Sequence, residues 1–131
     1  MADATQAPPV AGTFCWNELM TGNVDGARDF YAKLFGWTYD EMDMGPAGKY
    51  TLFKKGDQFA GGCMALPQQG IPPHWMSYVA VDDVDASTTK AEGFGAKILV
   101  PPTDIPMAGR FSVITDPSGA SLGLFKGTET C

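Results

Sequence analysis

Apolar residues recur along this chain with two periods. Val24, Ala27, Phe30 and Leu34 fall three and four apart, the spacing of one face of an α-helix. Asn23 precedes them, and its side chain can accept from the first free N–H groups of a helix. Gly36 follows, and glycine readily takes the left-handed conformation that ends one. A second helical run, Val84, Thr88, Ala91 and Phe94, is opened by Asp83 and closed by Gly93 and Gly95. The stretches around these runs are rich in aromatic and β-branched residues and predict strands. They are Phe14 to Thr21, Trp37 to Asp43, Lys49 to Lys54, Phe59 to Leu66, Trp75 to Val81, Ala96 to Pro101, Gly109 to Thr115 and Ser121 to Lys126. Asp116-Pro117-Ser118-Gly119 has the residues of a tight turn between the last two strands, and Lys55-Gly56-Asp57 is its weaker counterpart.

The pattern is used twice. Asn23-Val24-Asp25-Gly26-Ala27 returns sixty residues later as Asp83-Val84-Asp85-Ala86-Ser87. Gly48-Lys49-Tyr50-Thr51-Leu52-Phe53 returns as Gly109-Arg110-Phe111-Ser112-Val113-Ile114, and Gly62 falls on Gly123. Each half reads β-α-β-β-β, one supersecondary unit. The boundaries expected are a loose arm over 1–11, module one over 12–66, a stiff connector over 67–73 with Gly70, Pro72 and Pro73, and module two over 74–126.

Composition narrows the partners. The chain has 131 residues, 44% of them hydrophobic and 18% charged, enough for one domain with a packed core. Nine basic residues against fifteen acidic ones give a net charge of −6, which disfavours nucleic acid and anionic lipid. No apolar run is long enough to span a bilayer, and the first residues do not read as a signal peptide. Cys15, Cys63 and Cys131 form no C-x-x-C pair and are odd in number, which predicts a reducing, cytoplasmic setting and inert buried thiols at Cys15 and Cys63.

Three segments carry a family likeness: Phe30-Tyr31-x-x-Leu34-Phe35-Gly36-Trp37, Val81-Asp82-Asp83-Val84-Asp85-Ala86 and Asp116-Pro117-Ser118-Gly119-Ala120. In these the chain resembles the vicinal oxygen chelate superfamily, which includes glyoxalase I, extradiol dioxygenases and the bleomycin and fosfomycin resistance proteins. The resemblance covers residues 12 to 126. It implies an α+β fold in which two βαβββ modules form a cup-shaped, eight-stranded incomplete barrel with helices outside. It also implies a metal held by His, Gln or Glu from the first and last strand of each module. Those positions fall here on Trp16, Gly62, Met76 and Gly123. Glycine has no side chain, tryptophan offers only a donor, and a lone thioether is soft. His74 is the only histidine. The sequence therefore predicts no metal and no other cofactor.

Strand alternation then places Trp16, Glu18 and Met20, His74, Met76 and Tyr78, Ala60, Gly62 and Met64, and Ser121, Gly123 and Phe125 on the concave face, provided no strand is bulged. A wall of aromatic and Met side chains over two glycines suits a small, flat or apolar molecule. The ligand-binding set expected is Trp16, Met20, Gly62, Met64, Met76, Tyr78, Gly123 and Phe125. The alternative function is that of a lyase or isomerase with Glu18 and His74 as acid and base, since a carboxylate on an apolar wall has a raised pKa. Against these stand plainer roles: Glu18 solvated at the rim or paired with Arg110 or a lysine, His74 at the rim, Arg110 a surface charge, and the cup filled by its own side chains. The partners expected are a small molecule and a second copy of the chain, because open sheet edges need cover.

Overall fold

The structure is a computed structural model and describes residues 9–43, 45, 48–66, 70–105 and 108–127. Residues 1–8 of the expected arm, 67–69 of the connector, and Cys131 lie outside the described residues. Ten elements follow in chain order: β1 (Phe14–Thr21), α1 (Val24–Phe35), β2 (Thr38–Asp43), β3 (Lys49–Lys55), β4 (Gln58–Ala65), β5 (His74–Ala80), α2 (Val84–Gly93), β6 (Lys97–Ile105), β7 (Gly109–Thr115) and β8 (Ser121–Gly127). This is the expected α+β class and the β-α-β-β-β order used twice. The chain divides into two compact units: residues 17–75, and residues up to 16 together with 76 onward.

In the first unit the strands run β2-β3-β4-β1. Two antiparallel pairings join β2 to β3 and β3 to β4, and a parallel pairing joins β4 to β1. The parallel closure follows from the helix between β1 and β2, which carries the chain across before the meander returns. Asn23 caps α1 by accepting from Gly26 N at 3.0 Å, and Gly36 ends it at φ 73°. Leu19, Phe53 and Cys63 form the buried centre, with Val24, Ala27, Tyr31, Trp37 and Ala60 packed on it.

Two expectations change here. The helix face turned inward is Val24, Ala27 and Tyr31, whereas Phe30 and Leu34 lie outside, each 56% exposed. The three-and-four spacing fits either stripe, and the larger ring of Tyr31 takes the seat against Phe53, with ring centroids 6.2 Å apart. Second, β4 is bulged. Phe53 pairs with Gly61 and Lys54 with Phe59, which leaves Ala60 as the extra residue. The bulge turns Ala60 onto the helix side rather than the opposite face.

In the second unit the order is β5-β8-β7-β6. Asp83 caps α2 by accepting from Ala86 N at 3.0 Å. The inward residues of α2 are Val84 and Thr88, while Phe94 sits beyond the helix end and is exposed. Thr88 Oγ1 donates to Val84 O at 2.6 Å and lies 2.7 Å from Ser112 Oγ, so this buried polar pair is satisfied. The strand expected to stop at Pro101 runs on through Pro102 to Ile105 as β6. It borders only β7, and its register shifts between Val100 and Thr103, so the missing proline N–H groups interrupt no regular ladder. The chain before β1 is tied to this unit: Gly12 N donates to Ala80 O and Ala80 N to Thr13 O, both at 2.8 Å. The last hairpin turns on Asp116, whose Oδ1 accepts from Ser118 N at 2.8 Å, Ser118 Oγ at 2.6 Å and Ala120 N at 3.1 Å.

Candidate functional site

Along β1 the side chains alternate. Leu19 joins the core under α1, so Glu18 and Met20 stand on the opposite face, and both are buried there. Glu18 is only 7% exposed. The solvated rim position is therefore ruled out for this carboxylate. In the second unit the Arg110 guanidinium is held bidentate by Asp85, at 2.8 and 3.0 Å, and by Asp104 at 2.8 Å. The Arg110 pair in turn holds the Asp85 carboxyl below the usual carboxylate range.

Glu18 is in register with Gly62 on β4. The place a side chain would take at Gly62 is filled by Tyr50 from β3. A Cβ there would come 2.9 Å from Tyr50 Cε2 and closer still to the phenol oxygen. Tyr50 Oη and the Glu18 side chain thus occupy adjacent places on one face, a juxtaposition of phenol and carboxylate that the sequence reading missed. Its signal was present: Tyr50 lies two residues before Leu52, the antiparallel partner of Gly62. On that register a long side chain reaches the diagonal neighbour.

Beneath this face lies Cys63, fully buried. Burial, and then the charge of Glu18, push its thiol up to about 11. Such a thiol is unreactive at neutral pH, as the sequence suggested for this position. Cys15 is only partly buried.

In the second unit Met76 and Tyr78 share one face of β5, and both are buried. Tyr78 is in register with Gly123, and its ring lies over that glycine, so a Cβ at Gly123 would fall 2.8 Å from Tyr78 Cγ. Phe111 and Phe125 meet the same ring edge-on, each with centroids at 6.4 Å. The two glycines are therefore not empty floor. Each has a tyrosine over it, which corrects the expectation that the missing side chains leave free room. Met64, Phe125 and Trp16 are partly buried.

His74 opens β5, half-buried, with Nδ1 2.9 Å from Pro72 O. A carbonyl only accepts, so Nδ1 is the donor in this contact. Trp16, Gly62, Met76 and Gly123, which stand where the resemblance calls for ligands, offer no usual donor to a hard or borderline divalent ion. Among the described residues no three His, Cys, Asp or Glu side chains come together as a cation site. Among the same residues no helix is long and apolar enough to cross a membrane.

This doubled βαβββ architecture agrees with a family match. The model of the Glyoxalase/Bleomycin resistance protein/Dioxygenase superfamily covers residues 13–124, and the chain belongs to that superfamily. Among curated relatives, a Mycobacterium tuberculosis protein named "Putative glyoxylase CFP32" is 44% identical over 115 residues, covering 88% of this chain and 44% of its own length. The anthracycline biosynthesis protein DnrV of Streptomyces peucetius is 30% identical over 129 residues, covering 88% of this chain and 47% of its own. The chain thus spans less than half the length of these relatives. Among solved structures, methylmalonyl-CoA epimerase from Mycobacterium tuberculosis shares the fold with a TM-score of 0.64, at 14% identity, over 95% of this chain and 94% of that one.

Proposed function

We propose that this glyoxalase-like domain binds a small, flat or apolar molecule without a resident metal ion. Each unit is proposed to offer its own contacts: Met20 and Met64 beside the Tyr50 ring that covers Gly62 in the first, and Trp16, Met76 and Phe125 beside the Tyr78 ring that covers Gly123 in the second. The observation that carries this reading is the replacement of a ligand set by Trp, Met and two glycines roofed by tyrosine rings. Aromatic faces and thioethers supply apolar area and adaptable contacts, with phenol oxygens to orient a polar edge. The relationship to a protein named for anthracycline biosynthesis agrees with a flat ligand. The chain is further proposed to work in the cytoplasm as a homodimer.

The burial of Glu18 beside Tyr50 favours a second reading, a lyase or isomerase of the glyoxalase-like kind. There Glu18 moves the proton and Tyr50 donates to the developing oxyanion, with His74 Nε2 as a second base.

Thermal shift with a panel of flat aromatic ligands and divalent metals tests the first reading. A ligand at a hundred times its dissociation constant adds about 2.7 kcal/mol. Stabilisation by an aromatic ligand, and none by metal, is expected. Stabilisation by one metal alone, with about one equivalent in the purified protein, overturns it. Glu18→Gln separates the two readings, since it keeps binding and removes proton transfer.

A further inference from the structure

Helix α1 turns Val24, Ala27 and Tyr31 to the sheet and leaves its apolar flank outside. Phe30 and Leu34, one turn apart, are each 56% exposed; Phe35 is 47% and Trp75 of β5 40% exposed. Three of these meet through one ring. Tyr31 has centroid distances of 4.9 Å to Phe30, 6.1 Å to Phe35 and 5.5 Å to Trp75. Trp75 Nε1 also donates to Tyr31 Oη at 3.3 Å, which fixes the indole at the edge of the helix.

With roughly 200 Å² for each large side chain, the four residues present about 400 Å² of apolar surface. That lies within the range of the largest apolar patches on monomers, which are often functional. It also approaches the apolar share, about 60%, of the ~800 Å² that each partner buries in a standard interface.

Charge names the partner. Asp29 and Lys33 are one turn apart, both exposed, on the solvent side of α1 next to Phe30. Asp29 Oδ1 accepts from Arg28 Nε at 3.2 Å, and its side chain remains 60% exposed. When two copies of such a helix pack antiparallel about a twofold axis, each flank meets itself reversed. Asp29 of each copy then faces Lys33 of the other, while Phe30 and Leu34 interlock between them.

We propose that the Phe30–Leu34–Trp75 face of the first unit is the docking surface for a second copy of this chain, in a symmetric interface. The inference rests on the homodimer proposed above and names its contact. Sedimentation of the full chain at high micromolar concentration tests it. The wild type is expected at twice 13.9 kDa. Phe30→Asp and Leu34→Glu should each be monomeric there, with unchanged far-ultraviolet dichroism, since both side chains are half outside already. Asp29→Lys should weaken the dimer about tenfold, the effect of 1.4 kcal/mol. Adding Lys33→Asp should restore it, because only a self-complementary contact exchanges both charges at once. A monomeric wild type overturns both the homodimer and this face. A dimer indifferent to Phe30→Asp, or one not restored by the double exchange, overturns the face and leaves the homodimer standing.

Discussion

The ring of Tyr78 lies over Gly123, its partner across the parallel pairing of β5 and β8. A larger residue at 123 must displace that ring into Phe111 and Phe125, which already touch it edge-on. Gly123→Leu is expected to destabilise by about 1–3 kcal/mol, the cost of overpacking. Urea melts against the wild type measure it; an unchanged midpoint would show that the ring moves freely.

Thr51 and Ser112 hold equivalent places in the two modules and meet different fates. Ser112 pairs with Thr88. The counterpart of Thr88 is Arg28, whose guanidinium turns outward to Asp25, Asp29 and Glu41. Among the described residues Thr51 Oγ1 is the buried side-chain polar atom without a partner. Thr51→Val should therefore stabilise by about 1 kcal/mol, while Ser112→Ala should cost about 0.5–1.5 kcal/mol. Equal effects at both positions in chemical melts would contradict the asymmetry.

The Asp116 turn makes a pH prediction. Hydrogen bonds from Ser118, then Ala120, hold the Asp116 carboxyl below its ordinary value of 3.8. A depressed carboxyl contributes stability above its unfolded pKa and loses it as pH falls through the folded one. Asp116→Ala should thus be less stable than the wild type at neutral pH, and the gap should close below about pH 4. Melting temperatures of both proteins across the acid range check this; a gap that persists at low pH would assign the effect to the backbone turn alone.

Cys63 should resist alkylation. With its thiol pushed up to about 11 and no exposure, little thiolate forms near neutral pH. Peptide-resolved mass spectrometry after iodoacetamide should find Cys63 unmodified in the folded protein and modified in urea. Rapid labelling of the native state would show that β4 opens.

Much of this was legible in the sequence. The caps at Asn23 and Asp83, the stop at Gly36 and the Asp116 turn are local chemistry, written in single residues, and the elements fall where they point. What stayed hidden was tertiary. Val24-Ala27-Phe30-Leu34 and Val24-Ala27-Tyr31 are equally periodic, and only the seat beside Phe53 decides between them. Proline predicts an end to β6 that the strand's edge position relaxes. Alternation predicts the face of Ala60, but not the bulge that reverses it. Glu18 looked like a rim residue because sequence carries no depth. Tyr50 escaped notice because its glycine is a diagonal neighbour, visible only once the β3–β4 register is known.

The two roofed glycines were filled from different directions. In the second module the first strand supplies the ring, Tyr78, and the position equivalent to Tyr50 holds Phe111. In the first module β3 supplies it, and the position equivalent to Tyr78 is released to hold Glu18. The twin halves therefore share a backbone plan while their interiors have ceased to be interchangeable. A chimera built from two copies of the second module would carry Tyr78 twice and lose Glu18, the buried carboxylate among the described residues; one built from two copies of the first would carry that carboxylate twice. At the one place where the pattern repeats, the first module keeps a charge, Glu18, and the second an aromatic ring, Tyr78.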